Sequence, residues 1–109
     1  MATPLVSQLR FDHKRVRAVF LDRRWWLFAS DVACCLEYPT DRSGQVRGDS
    51  LMLCMPRTAR CQAPLLGGPG TDLVPLIAST AVIEWLRAHP TRTRQQFLNW
   101  LTSFARFDG

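Results

Sequence analysis

The sequence lacks most of the features that mark membrane proteins, metalloproteins and common enzyme classes. No apolar run approaches the roughly 20 residues of a membrane-spanning helix, and residues 1–7 lack the basic-then-apolar order of a signal peptide. The four cysteines form no Cys-x-x-Cys pair, and the spacing of a zinc site is absent. Neither a Gly-x-Ser-x-Gly sequence nor a phosphate loop ending in Gly-Lys-Ser/Thr is present. We therefore expect a cytoplasmic protein that is not an enzyme, with no metal, cofactor, catalytic residue or membrane partner.

Lysine is almost missing, and acidic residues are outnumbered. Lys14 is the lone lysine among 14 basic residues, the rest being arginine, and 9 acidic residues leave a net charge of +5. The planar guanidinium of arginine suits phosphates and base edges better than an ammonium group does. A GC-rich genome would enrich arginine as well, and this alternative stays open. The charge favours nucleic acid or an acidic protein surface as the partner, without choosing between them.

The first third of the chain has the pattern of a β-hairpin followed by a helix. Side chains alternate from Arg15 to Leu21, with arginines on one parity and Val16, Ala18 and Phe20 on the other. The polar corner Asp22-Arg23-Arg24 leads to an aromatic run, Trp25–Ala29, which predicts a returning strand. A further strand is predicted before this hairpin at Gln8–Asp12, after a loose leader of residues 1–7. Ser30 is the predicted cap of a short helix that ends before Pro39.

The rest of the chain predicts two edge strands and two helices. Pro64 and Pro75 confine the strands at Gln62–Leu66 and Leu73–Ile77 to sheet edges. The first helix spans Ala81 to about His89, and the second is capped by Thr91 or Thr93. With 109 residues, these elements form one domain. The predicted fold is α+β: a small antiparallel sheet with an N-terminal hairpin, one short helix after it, and two C-terminal helices packed on the sheet. Its predicted core is Phe11, Val16, Ala18, Phe20, Trp26, Phe28, Val32, Leu36, Val82, Leu86, Phe97, Trp100, Leu101 and Phe104.

Two ordered blocks resemble a known family. The first contains Phe11, Val16-Arg17-Ala18-Val19, Trp26-Leu27-Phe28-Ala29, Asp31-Val32, Leu36 and Tyr38, and the second contains Leu76-Ile77, Val82-Ile83 and Phe97-Leu98-Asn99-Trp100-Leu101-Thr102. In this order they resemble the BRO N-terminal domain, a module of phage antirepressor-like proteins and of baculovirus repeated open reading frame proteins. The resemblance covers roughly residues 8 to 105, while the segment from residue 39 to 72 matches poorly and is interpreted as a variable middle. The resemblance implies a viral or prophage regulatory protein that binds DNA.

Two sets of residues are candidates for binding. The predicted nucleic-acid-binding residues are the cations of the hairpin and two cations near the start of the last helix: Lys14, Arg15, Arg17, Arg23, Arg24, Arg92 and Arg94. Adjacent phosphates offer several acceptors to such a face, although a solvated strand face also needs charge. The predicted partner-binding residues are an aromatic beside the corner and arginines of the variable middle: Trp25, Arg42, Arg47, Arg57 and Arg60.

Two functions remain open at this point. The first is a regulatory module that binds DNA through an Arg-rich surface, with salt-sensitive affinity. The second is a protein-binding inhibitor that acts without DNA, either as an antirepressor or against another host factor such as a defence complex. Its basic surface would then meet an acidic partner. A homodimer is compatible with either function.

Overall fold

The structure is a computed structural model, and it describes residues 6–36, 54–64 and 73–107. These residues form a five-stranded antiparallel sheet in the order β1-β2-β3-β5-β4, together with three α-helices. The predicted α+β class is confirmed. The strands are β1 (Val6–Phe11), β2 (Lys14–Leu21), β3 (Arg24–Phe28), β4 (Arg60–Pro64) and β5 (Leu73–Ala78), and the helices are α1 (Ala29–Cys35), α2 (Ser79–Ala88) and α3 (Arg92–Thr102). β1 begins two residues before the predicted Gln8, so Val6 and Ser7 belong to the sheet.

The first three strands are joined by two tight turns that contain no glycine. Asp12 and His13 link β1 to β2, and Asp22 and Arg23 link β2 to β3; all four residues have positive φ, between 47° and 69°. Two-residue loops with positive φ at both positions match the right-handed twist of the strands. Aspartate tolerates this conformation, whereas histidine and arginine pay a steric penalty at their Cβ atoms. The corner is therefore two residues long, and Arg24 is the first residue of β3.

One face of the sheet packs against the C-terminal helices. Val16 lies on this face and is fully buried. Phe11 lies on the same face and meets α3 through Phe97 and Trp100, with ring centroids 5.1 and 5.5 Å apart. At the other end of this face, Trp25 meets Phe107 edge-on at 5.6 Å. This face is the one that the alternation of β2 predicted.

The opposite face is buried as well, which the alternation did not predict. Strand pairing places Val19 beside Trp26 there, and both are buried, Val19 completely. The predicted core position of Phe20 is wrong, since its side chain is 52 % exposed. Phe20 points to the same face as Val16, but it lies near the end of β2, next to the partly buried Trp25. Strand parity therefore gave its face correctly and its burial incorrectly.

Pro75 lies in an internal strand, so its predicted edge position is wrong. β5 is flanked by β3 and β4. The β3 pairing ends at Leu76, one residue after Pro75, and at Pro75 the sheet continues on the β4 side through Gln62. The missing N–H of proline is tolerated there because one flank has no neighbouring strand.

The helix starts differ from two of the predicted caps. α1 and α2 follow directly from strands β3 and β5, and neither has a side-chain cap at its N-terminus. Ser30, the predicted cap, is the second residue of α1. Thr91 does cap α3, because its hydroxyl accepts a hydrogen bond from the amide of Arg94 at 3.2 Å. This confirms Thr91 over Thr93.

Candidate functional site

The predicted cations of the hairpin lie at opposite ends of the sheet. Lys14 begins β2 and Arg23 lies in the turn after its last residue. At about 3.3 Å per residue, an eight-residue strand separates its two ends by more than 20 Å. The hairpin therefore presents two small groups of cations, and the single cationic face expected from the sequence is divided.

Arg17 is engaged within the protein. Its Nε and Nη2 atoms donate to the two carboxylate oxygens of Asp31 at 2.9 and 3.1 Å, and its backbone N–H donates to the same carboxylate at 2.9 Å. The guanidinium carbon lies 4.3 Å from the ring centroid of Phe28. The Arg17 side chain is 20 % exposed and that of Asp31 10 % exposed. This two-pronged ion pair joins α1 to β2, where it holds the helix against the strand.

The other cations at this end surround the first turn. Arg10 and Arg15 are exposed and lie directly opposite one another across β1 and β2. Like charges in such a pair repel, so an anion between them would be stabilising. Lys14 donates to the carbonyl oxygen of Cys34 at 3.5 Å. The sequence analysis missed Arg10, because the pairing of Arg10 with Arg15 depends on the length of the turn.

The two predicted cations of the last helix have different surroundings. The Arg94 guanidinium lies 4.6 Å from the ring centroid of Trp85 and donates to the carbonyl oxygen of His89 at 3.0 Å. Arg94 therefore helps to hold the α2–α3 corner. Arg92 is exposed at the start of α3.

The opposite end of the sheet contains a pocket with an unusual lining. Its volume is about 330 Å³. Its lining combines two aromatic rings, three arginines and two hydroxyl residues, and we call it the arginine pocket: Phe20, Trp25, Arg23, Arg24, Arg106, Ser79 and Thr80. None of these residues is acidic. Phosphate groups are the natural ligands of such clustered guanidinium groups.

Arg106 reaches the pocket from the C-terminal end of the described chain. Its guanidinium carbon lies 4.9 Å from the ring centroid of Trp25 and 5.0 Å from that of Phe107. A third ring, Phe104, is 5.7 Å away. The aromatic contacts hold the guanidinium in place, and its N–H donors lie in its own plane. Sequence reasoning placed Arg106 only beside the last helix, since no local pattern reports its approach to Trp25.

Arg24 connects the pocket with part of the variable middle. Its Nη1 atom donates to the carbonyl oxygen of Thr58 at 2.7 Å, and its guanidinium carbon lies 4.9 Å from the Trp26 ring centroid. Thr58 lies in a short 3-10 turn, Arg57–Ala59, which is followed by β4. Arg57 is exposed beside this contact, and Arg60 is partly buried at the start of β4. One predicted DNA-binding arginine and one predicted partner-binding arginine therefore belong to the same end of the molecule.

The start of α2 closes one side of the pocket. Ser79 is 2 % exposed, and its hydroxyl donates to the carbonyl oxygen of Phe107 at 3.0 Å. This bond fixes the turn that carries Arg106 to the helix. Thr80 is exposed at the pocket wall. The positive end of the α2 dipole adds to the field of the arginines.

The remaining predicted site residues and the cysteines contribute less. Arg42 and Arg47 lie outside the described residues. Burial, followed by the neighbouring Cys34, raises the pKa of the Cys35 thiol to about 12. Within residues 6–36, 54–64 and 73–107, no three metal-ligating side chains form a cluster. No helix in those ranges has the length and apolar character needed to span a bilayer.

Comparison of the chain with family models, with curated proteins and with solved structures gives no match. The arguments about function therefore depend on the residues themselves and on the resemblance described above.

Proposed function

We propose that this protein is a non-enzymatic regulatory module of viral or prophage origin that binds DNA in the host-cell cytoplasm. The observation that carries the proposal is the arginine pocket, where three guanidinium groups converge without an acidic residue in the lining. The viral and regulatory part of the proposal comes from the resemblance to the BRO N-terminal domain.

The surroundings of the pocket extend its positive field. Arg57 is exposed beside the Arg24–Thr58 hydrogen bond. In the part of the chain that the structure describes, the acidic residues are Asp12, Asp22, Asp31 and Glu84. Asp31 is neutralised by Arg17, and Asp12 lies at the far end of β2. A polyanion therefore meets little opposing charge at the pocket apart from Asp22.

The test is binding of a labelled duplex over a series of salt concentrations, measured by fluorescence anisotropy. If the three pocket arginines contact three phosphates, log K should fall with log salt at a slope near −2.7, which is about 40-fold between 50 and 200 mM. Absence of binding at about 50 mM salt, or a slope near zero, would contradict the proposal.

The protein-binding alternative has one observation in its favour: Phe20 is exposed beside Trp25 and arginines, a composition that is also common at protein interfaces. A pull-down from nuclease-treated host lysate separates the two. A partner retained after nuclease, combined with no affinity for DNA, would replace the DNA-binding proposal by an inhibitor that acts on an acidic protein.

A further inference from the structure

We infer that the arginine pocket is a binding site for a single nucleotide, with the base against Phe20 and the phosphate between Arg23 and Arg106. The ligand class is a nucleoside monophosphate, either as a free molecule or as the phosphorylated 5′ end of a strand. The inference rests on the proposed function only for the assignment of phosphate as the anion. It adds a base platform and a position for one nucleotide.

The aromatic part of the pocket is a supported, exposed ring. Phe20 is the large hydrophobic residue that stands out as exposed among the described residues, at 52 %. Its ring centroid is 5.4 Å from that of Trp25, with 54° between the planes. Trp25 itself is held by Phe107 and Arg106. Phe20 is therefore backed by a fixed indole, and its solvent-facing surface can stack on a base.

The anionic part of the pocket is preorganised on one side. The rings around Arg106 contact the face of its guanidinium, which leaves in-plane N–H groups to donate to phosphate oxygens. Arg23 is exposed in the tight turn next to Phe20. Its backbone is fixed by the turn, so its side chain starts from a defined position. Arg24 is tied to Thr58 and supplies charge rather than a mobile fork.

The size and the mixed chemistry of the pocket favour a nucleotide over a simple anion. A volume of about 330 Å³ falls at the lower end of small-molecule sites. An inorganic anion would use the arginines and leave Phe20 exposed. An apolar ligand would leave the arginines unpaired. A molecule with a planar aromatic part and a phosphate a few bonds away satisfies both halves.

The experiment is a titration of the full chain with adenosine monophosphate, followed by tryptophan fluorescence because Trp25 lines the site. Parallel titrations use adenosine, inorganic phosphate, and an unphosphorylated and a 5′-phosphorylated oligonucleotide of one sequence. We expect saturable binding of the monophosphate, with adenosine and inorganic phosphate each at least 10-fold weaker. The Phe20→Ala variant should weaken the monophosphate about 10-fold and leave inorganic phosphate unchanged. The Arg106→Gln variant should weaken both.

Controls keep each outcome decisive. Arg92→Gln removes the same charge from an exposed position on α3, and it should leave every titration unchanged. Because Phe20 is exposed, its alanine variant should retain the wild-type melting temperature, so a loss of affinity reports the pocket. A 5′-phosphate preference among oligonucleotides assigns the strand end as the source, and its absence with tight monophosphate binding assigns the free nucleotide.

Two results would overturn the inference. One is equal affinity for the monophosphate and inorganic phosphate; the other is no effect of Phe20→Ala on either ligand. If an unphosphorylated blunt duplex still binds with a steep salt slope, the DNA-binding proposal survives without the nucleotide site. If the monophosphate binds but no DNA does, the nucleotide site survives and the DNA-binding proposal is wrong.

Discussion

Replacement of Asp31 by alanine should destabilise the fold more than any exposed substitution in the hairpin. The carboxylate accepts three N–H groups of Arg17, at 2.9, 2.9 and 3.1 Å. Removing one partner of a buried ion pair costs about 3–5 kcal/mol. Because the Arg17 side chain is 20 % exposed, water recovers part of that cost. We expect a loss of about 3 kcal/mol in the free energy of unfolding.

The assay is chemical denaturation at pH 7, followed by far-UV circular dichroism. A double-mutant cycle with Arg17→Met, which keeps contact with Phe28, isolates the pair itself and should return a coupling of about 2 kcal/mol. Asp31→Asn, which keeps an acceptor oxygen but loses the charge, should fall between wild type and Asp31→Ala. A destabilisation below about 0.5 kcal/mol for Asp31→Ala, typical of surface pairs, would refute the view that Arg17 is a structural cation.

Three further predictions test the turns, the helix cap and the buried thiol. His13→Gly should stabilise the protein by about 0.5–1 kcal/mol, because glycine removes the Cβ penalty at φ 69°; His13→Ala, which keeps the Cβ atom, should not, and an equal gain for both would contradict this reading of the turn. Thr91→Ala should cost about 1 kcal/mol through loss of the hydrogen bond to the Arg94 amide; Thr93→Ala is the control, and a greater loss there would restore Thr93 as the cap. The Cys35 thiol has a pKa raised from 9.0 to about 12 in the folded protein, so the unfolded chain loses its proton first and stability should decline between about pH 9 and 12, by up to 1.4 kcal/mol per pH unit. Melting curves of wild type and Cys35→Ala at pH 8, 9.5 and 10.5 check this, since parallel curves would show that Cys35 contributes nothing.

Local patterns predicted the elements of the fold well. The alternation around Val16 placed β2, and the aromatic run from Trp25 placed β3, because both are short-range signals of half-buried strands. The stripe that includes Phe97 and Leu101 placed α3 in the same way, and both residues are buried. The predicted class followed from the order of these elements.

The candidate site was less predictable, because it depends on contacts between distant parts of the chain. Nothing near Arg17 in the sequence indicates that Asp31, fourteen residues later, neutralises it. Arg106 becomes a pocket residue only through Trp25, with which it shares no local pattern. The exposure of Phe20 likewise depends on where the covering elements end. Sequence identified the kind of side chain that acts, while tertiary packing decided which arginines remain available.

The most direct test of the account compares the salt dependence of DNA binding between two variants. Arg23→Gln/Arg106→Gln removes two pocket cations and should lower the magnitude of the slope from near 2.7 to near 0.9, at about one unit per lost phosphate contact. Arg17→Met removes a cation that is already paired with Asp31, so its slope should equal that of wild type under conditions where it is folded. If Arg17→Met flattens the slope while the pocket variant does not, the arginine pocket is not the binding site.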